Sequence, residues 1–219
     1  KDLKYYANEI ANMGFQMNTH AIGDSTVSVL LKEYQKVLND IDDPRWRIEH
    51  SQVVDLNEFN LYNEKILPSV QPTHATSDMY WLYDRVGKNR GEYSYAWADL
   101  YEKSGVIALG TDFPVEDISP IMTFYAATFR KDSDGFPEDG FQIENALGRG
   151  DALLGMTYFG AYANFEENEK GSIEVGKDAD FIILDGNPLD EIRNTRTISS
   201  VYLSGKEIDR SALQKKWRP

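Results

Sequence analysis

The chain has 219 residues, 41% of them hydrophobic, enough to bury a substantial core as one domain or one domain plus an appendage. A formal net charge of −13 argues against a nucleic-acid or other polyanionic partner, since phosphate recognition needs clustered Lys and Arg. With no cysteine there is no disulfide frame and no thiolate site, so any bound metal must use nitrogen and oxygen ligands.

In chain order, Lys1–Tyr6 do not read as a signal peptide. They look like the middle of a helix with no cap before it, so the expectation is a cut end, which leaves targeting and compartment open. No run approaches the ~18 apolar residues of a spanning helix, and no membrane partner is expected. Leu3, Tyr6, Ala7, Ile10 and Ala11 recur at helical spacing up to Gly14. A strand over 15–20 ends in His20. Asp24 reads as the N-cap of a helix carrying Val27, Leu30, Leu31, Tyr34, Val37 and Leu38 on one face. A turn at Asp42-Asp43-Pro44 precedes a strand over 46–50 ending in His50. Asp55 is expected to cap a short helix through Leu56, Phe59 and Tyr62, followed by a strand over 66–71. Helices alternating with apolar strands argue a parallel sheet wrapped by helices, an α/β fold.

From Thr73 to Glu92 the pattern breaks into a polar and aromatic stretch. It is long for a βα loop, usually ~2–6 residues, and reads either as a lid or as an irregular insertion. Tyr80, Trp81 and Arg85 in it serve either a pocket or packing. Residues 95–103 read as a helix ended by Gly105, and a strand over 106–112 closes on Asp112. Residues 120–130 are helical, as is a region over 144–165 weakened by Gly148, Gly150 and Gly155. Beyond it, short strands around 181–185 and 198–203, separated by Gly and Asn turns, indicate a small β unit. The division falls near residue 168, giving units 1–168 and 169–219.

Gly171 to Lys177 has the spacing of a phosphate loop, but Asp178 stands where that loop needs Ser or Thr, and a strand follows where a helix should. That reading is rejected. The chemistry lies in His20, His50 and Asp112, each closing an apolar run, which is where a (β/α) barrel builds its site. Two neutral imidazoles and a carboxylate suit zinc or a similar divalent ion, with an open position for water. Asp112 fits a ligand, a base, or both in turn. His74, the third of only three histidines, either orients substrate, stabilises an oxyanion, or is a plain loop histidine. Glu49 should point away from His50 across its strand and reads as structural. Asp24 reads as a cap rather than a ligand.

Asn18-Thr19-His20-Ala21-Ile22-Gly23-Asp24, Arg47-Ile48-Glu49-His50-Ser51-Gln52, Ser69-Val70-Gln71-Pro72-Thr73-His74 and Leu109-Gly110-Thr111-Asp112-Phe113-Pro114-Val115-Glu116 resemble, in order, the amidohydrolase superfamily, closest to its amidohydrolase-3 or YtcJ-like branch. The tail from Lys170 to Leu184 is similar to the segment returning to that family's β-sandwich. The resemblance implies the C-terminal half of a (β/α)8 TIM barrel, strands five to eight, plus a small β-sandwich segment. It implies metal-binding His20 and His50, a metal-binding, proton-carrying Asp112, and a substrate-facing His74. It also implies metal-dependent hydrolysis of a C–N bond in a small amide, N-acyl or N-formyl substrate by metal-activated water.

The chain departs from the family in lacking the His-x-His pair after the first strand, the bridging lysine after the fourth, and the early sandwich strands. The expectation is an incomplete C-terminal fragment, inactive alone. Its partners would be the missing N-terminal half or further copies of itself as a homo-oligomer. A non-catalytic scaffold or regulatory homologue is the alternative; a phosphoesterase is disfavoured by the acidic balance.

Overall fold

A computed structural model describes residues 2–217. Helix α1 (Leu3–Asn12) leads into strand β1 (Asn18–Ala21), helix α2 (Asp24–Val37), strand β2 (Trp46–His50) and strand β3 (Ile66–Val70). Three helices follow, α3 (Pro72–Asp78), α4 (Leu82–Gly91) and α5 (Trp97–Ser104), before the two-residue strand β4 (Ala108–Leu109). The first four strands form one sheet in the order β1-β2-β3-β4, every pair parallel. An α/β architecture with a parallel sheet is therefore what these residues build.

The sheet forms because its strands carry apolar side chains that two helices can cover. Trp46 and Ile48 of β2 are buried, as are Ile66 and Val70 of β3. They join Val27, Leu30, Leu31 and Tyr34 of α2 and Trp97 and Leu100 of α5 in one core cluster. The Tyr34 and Trp46 rings meet edge to face at 4.8 Å. Arg47 and Glu49, at alternate positions of β2, are only partly buried and pair with each other at 2.8 Å, as strand alternation requires.

Helices α6 (Pro120–Phe129), α7 (Arg149–Met156) and α8 (Tyr158–Tyr162) follow β4. The segment just after α8 closes the N-terminal end of the sheet. Ala163 packs with Leu67 and Ala108, while Arg45 donates to the Tyr162 carbonyl at 2.7 Å and Arg47 to the Ala163 carbonyl at 2.9 Å. The Arg45 guanidinium lies 3.7 Å from the Tyr162 ring centroid and pairs with Glu167 at 2.9 Å. A second, antiparallel sheet of β5 (Phe181–Leu184), β6 (Ile198–Leu203) and β7 (Lys206–Glu207) precedes α9 (Arg210–Trp217).

Several elements differ from the sequence reading. Asp2 does cap α1, its carboxylate accepting from the Tyr5 amide at 3.0 Å. Gly23, not Asp24, is the N-cap of α2, and Asp24 opens the first turn, where its charge favours the helix dipole. Asp55 turns the chain through the Asn57 amide, and only a 3-10 turn over Phe59–Leu61 forms. The stretch 73–92 is not an irregular insertion. It folds into α3, started by Pro72 at its first turn, and α4, so the long connection is mostly helical. The strand closing on Asp112 is ordered as strand only at Ala108–Leu109. The helical region over 144–165 is broken into α7 and α8, with non-helical Thr157 between them.

Gly155 weakens α7 on propensity, yet it is where α7 meets β4. A Cβ there would lie 2.7 Å from Leu109 Cγ and 3.0 Å from the Ile107 carbonyl. Gly155→Ala is therefore expected to lower stability by about 1–3 kcal/mol through overpacking, against the gain that helix propensity alone would give. Chemical denaturation checks the sign.

Candidate metal centre

The parallel register brings the C-terminal ends of the strands together. Ala21 pairs with His50, Glu49 with Ser69 and Val70 with Leu109. His20 is thus beside the end of β2, His50 ends β2, and Asp112 lies just beyond β4. His74 is carried by α3, which starts as β3 ends. It is a buried helical residue, which removes the plain-loop alternative of the sequence reading.

The backbone turns sharply where these side chains are presented. His50, Ser51 and Asp112 have φ of +74°, +44° and +56°. Such left-handed non-glycine residues cost on the order of 1–3 kcal/mol each and persist only where the surroundings hold them. Around His50 they are held. Ser51 Oγ donates to the Ile48 carbonyl at 2.9 Å and accepts from the buried Tyr62 hydroxyl at 2.8 Å.

Among the described residues, one group of His, Asp or Glu side chains can hold a metal ion. It comprises His50, His74 and Asp112, each with a ligand atom within 4.8 Å of the others. His74 Nε2 is 3.8 Å from Asp112 Oδ2 and 3.9 Å from Glu116 Oε1. The His20 ring sits edge-on to His50 with centroids 4.5 Å apart, and the His50 and His74 rings stack at 5.7 Å. His50 Nδ1 and His74 Nε2 are buried without a hydrogen-bond partner. Buried polar nitrogens are rarely left so. Two histidines with unpartnered nitrogens, gathered with a carboxylate, fit a borderline divalent cation.

Burial, then the neighbouring His20, holds the His50 pKa below its ordinary value, against the opposing pull of Asp112. The imidazole therefore stays in the neutral form that ligates metal. Burial also raises the Asp78 carboxyl above its usual range, opposed by its hydrogen bond from Tyr95 and by His74. Asp112 remains accessible, its side chain 38% exposed.

The structure thus gathers His20, His50, His74 and Asp112 at one end of the sheet. The tight group takes in His74, which the sequence reading turned toward substrate, while His20 stands against it through His50. Sequence reasoning gave no role to Glu116 or Asp78. Each lies four residues after a site residue, Asp112 and His74 respectively, and that spacing was the available signal. Tyr80 and Trp81 are exposed between α3 and α4; the Tyr80 hydroxyl donates to Asp132 and its ring stacks on Phe136 at 5.9 Å.

Residues 1–208 match the sequence profile of the Amidohydrolase family. The chain belongs to that family. The chain is 32% identical over 205 residues to Protein LONG AFTER FAR-RED 3 of Arabidopsis thaliana, a match covering 89% of the chain and 34% of that protein. It is 32% identical over 183 residues to the putative amidohydrolase YtcJ of Bacillus subtilis (strain 168), covering 80% of the chain and 33% of that protein, which places it in the YtcJ-like branch. An uncharacterized metal-dependent hydrolase from Pyrococcus horikoshii OT3 superposes with a TM-score of 0.71 at 30% identity, over 85% of this chain and 38% of that one. The chain spans about a third of the length of the curated relatives it matches.

In the metal-free chain the lowered His50 pKa has a definite consequence for stability. The unfolded imidazole titrates near its ordinary value of about 6.5 and the folded one below it, so acid favours the unfolded chain. The His50 contribution is complete above the unfolded value and is lost as pH falls through the folded one. Denaturation of wild type and His50→Gln between neutral and mildly acidic pH should show a smaller acid loss in the variant. Parallel profiles would contradict this.

Proposed function

We propose that this chain is the C-terminal half, strands five to eight, of a (β/α)8 barrel in a metal-dependent hydrolase of amide, N-acyl or N-formyl C–N bonds. The carrying observation is the convergence of His50, His74 and Asp112, with orphaned buried nitrogens, at the C-terminal end of a parallel sheet. That is the end at which barrel enzymes place their chemistry. The half-barrel reading is supported by the coverage of longer relatives and by edge strands β1 and β4, each paired on one side only among the described residues. Residues 1–168 then form the half-barrel, and 169–219, which hold the antiparallel sheet, a β-sandwich segment. The partners are the remaining strands of the barrel and a small amide-type substrate.

His50 and Asp112 would hold the ion, with His20, beside His50, completing the set and His74 turned to the substrate. Zinc suits two neutral imidazoles and a carboxylate. When bound, it supplies Lewis-acid polarisation of the substrate carbonyl and activation of a water. The residues of the chain do the rest. Asp112, an accessible carboxylate, takes the proton of the attacking water and delivers it to the departing nitrogen. His74 donates a hydrogen bond to the developing oxyanion from Nε2, the nitrogen left without a partner in the protein.

Metal analysis and assay of the full-length protein on N-acyl and N-formyl amines test the reading. His50→Ala should abolish stoichiometric metal, and Asp112→Asn should lower kcat by about 10²–10⁴-fold with a smaller change in KM. A metal-free, inert protein would favour a non-catalytic scaffold instead. Residues 1–219 expressed alone should self-associate through the open edges of β1 and β4; a monodisperse monomer in sedimentation would contradict that.

A further inference from the structure

Two elements bring His50 and His74 together, the turn after β2 and helix α3, and one buried side chain joins them. Tyr95 is fully buried, and its hydroxyl donates to Asp78 Oδ2. Gln52 Nε2 donates to that hydroxyl at 2.6 Å and to Asp78 Oδ2 at 3.2 Å, while the Tyr95 amide donates to the Gln52 carbonyl at 2.7 Å. Gln52 is two residues beyond His50. Asp78 is four beyond His74, one turn along the same helix face. Tyr95 also has a φ of +57°, a left-handed conformation that a bulky residue rarely adopts. A glycine would relieve that backbone, so the tyrosine side chain compensates for the strain.

We propose that Tyr95, acting through Asp78 and Gln52, is a positioning residue that sets the place of His50, a ligand of the divalent ion, against His74, which faces the substrate beside it. The inference rests on the metal reading given under Proposed function. The hydroxyl suits the task because it donates to the carboxylate and accepts from the amide at once. Phenylalanine keeps the ring in place but leaves Asp78 with one donor and removes the acceptor of Gln52, so α3 is no longer tied to the turn carrying His50. Partners that fix a metal-binding imidazole from behind typically govern affinity by about 10- to 100-fold.

Cobalt(II) is the probe, read by its visible absorption during titration of the metal-free full-length protein, with thermal melting of the metal-free proteins alongside. Tyr95→Phe should weaken cobalt binding by about 10- to 100-fold and alter the absorption bands, with a melting temperature near that of wild type. Asp78→Asn should act in the same direction. Tyr101→Phe, which removes a hydroxyl bonded to Asp151 at 3.1 Å away from these residues, should leave binding unchanged. Wild-type cobalt affinity in both Tyr95→Phe and Asp78→Asn would overturn this inference alone. Absence of cobalt binding by wild type would overturn the metal reading, and this inference with it.

Discussion

The parallel pairing of β2 with its two neighbours is the constraint on which the rest depends. It places Ala21 beside His50 and Glu49 beside Ser69, so three chain segments far apart in sequence finish at one level. Apolar burial fixes that pairing. A slip of one residue in β2 would turn Trp46 and Ile48 away from α2 and bring Arg47 and Glu49 into the core. Placement of the site residues therefore follows from packing of the core rather than from attraction among the site residues.

The two ends of the sheet are treated differently. At the N-terminal end, Gln16, Arg45 and Arg47 donate to carbonyls at the end of α8, where cations also favour the helix dipole. Buried charge there is largely paired. At the C-terminal end the left-handed turns at His50, Ser51 and Asp112 and the unpartnered nitrogens accumulate together. The N-terminal end also carries left-handed residues, Asp43, Arg45 and Phe165, and an unpartnered Glu167 Oε2. What sets the C-terminal end apart is the ligand chemistry of its unpartnered atoms, imidazole nitrogens gathered beside Asp112.

Helix α3 links the two kinds of constraint. Its first residues follow directly from β3, and its far end is tied by Ser77 to Glu116 at 2.6 Å and by Asp78 to Tyr95 and Gln52. The imidazole of His74 is thus aimed by hydrogen bonds on one side of the helix and by the strand on the other.

Much of this was legible in the sequence. Apolar runs over 46–50 and 66–70, with the face of α2 from Val27 to Tyr34, determined an α/β fold, because period-two and period-3.6 patterns each have one way to bury. Histidine or aspartate after such runs marked the strand ends, and the ordered motifs around them pointed to the family. The helices over 72–78 and 82–91 were not legible, because their polar and aromatic residues lack a single apolar stripe and are shaped by contacts with distant chain. For the same reason the approach of Glu116 and Asp78 to His74 was decided only in three dimensions. Sequence spacing determined which residues reach the end of the sheet. Which of them meet within ligand distance depended on left-handed turns and buried hydrogen bonds between segments, which no local pattern encodes.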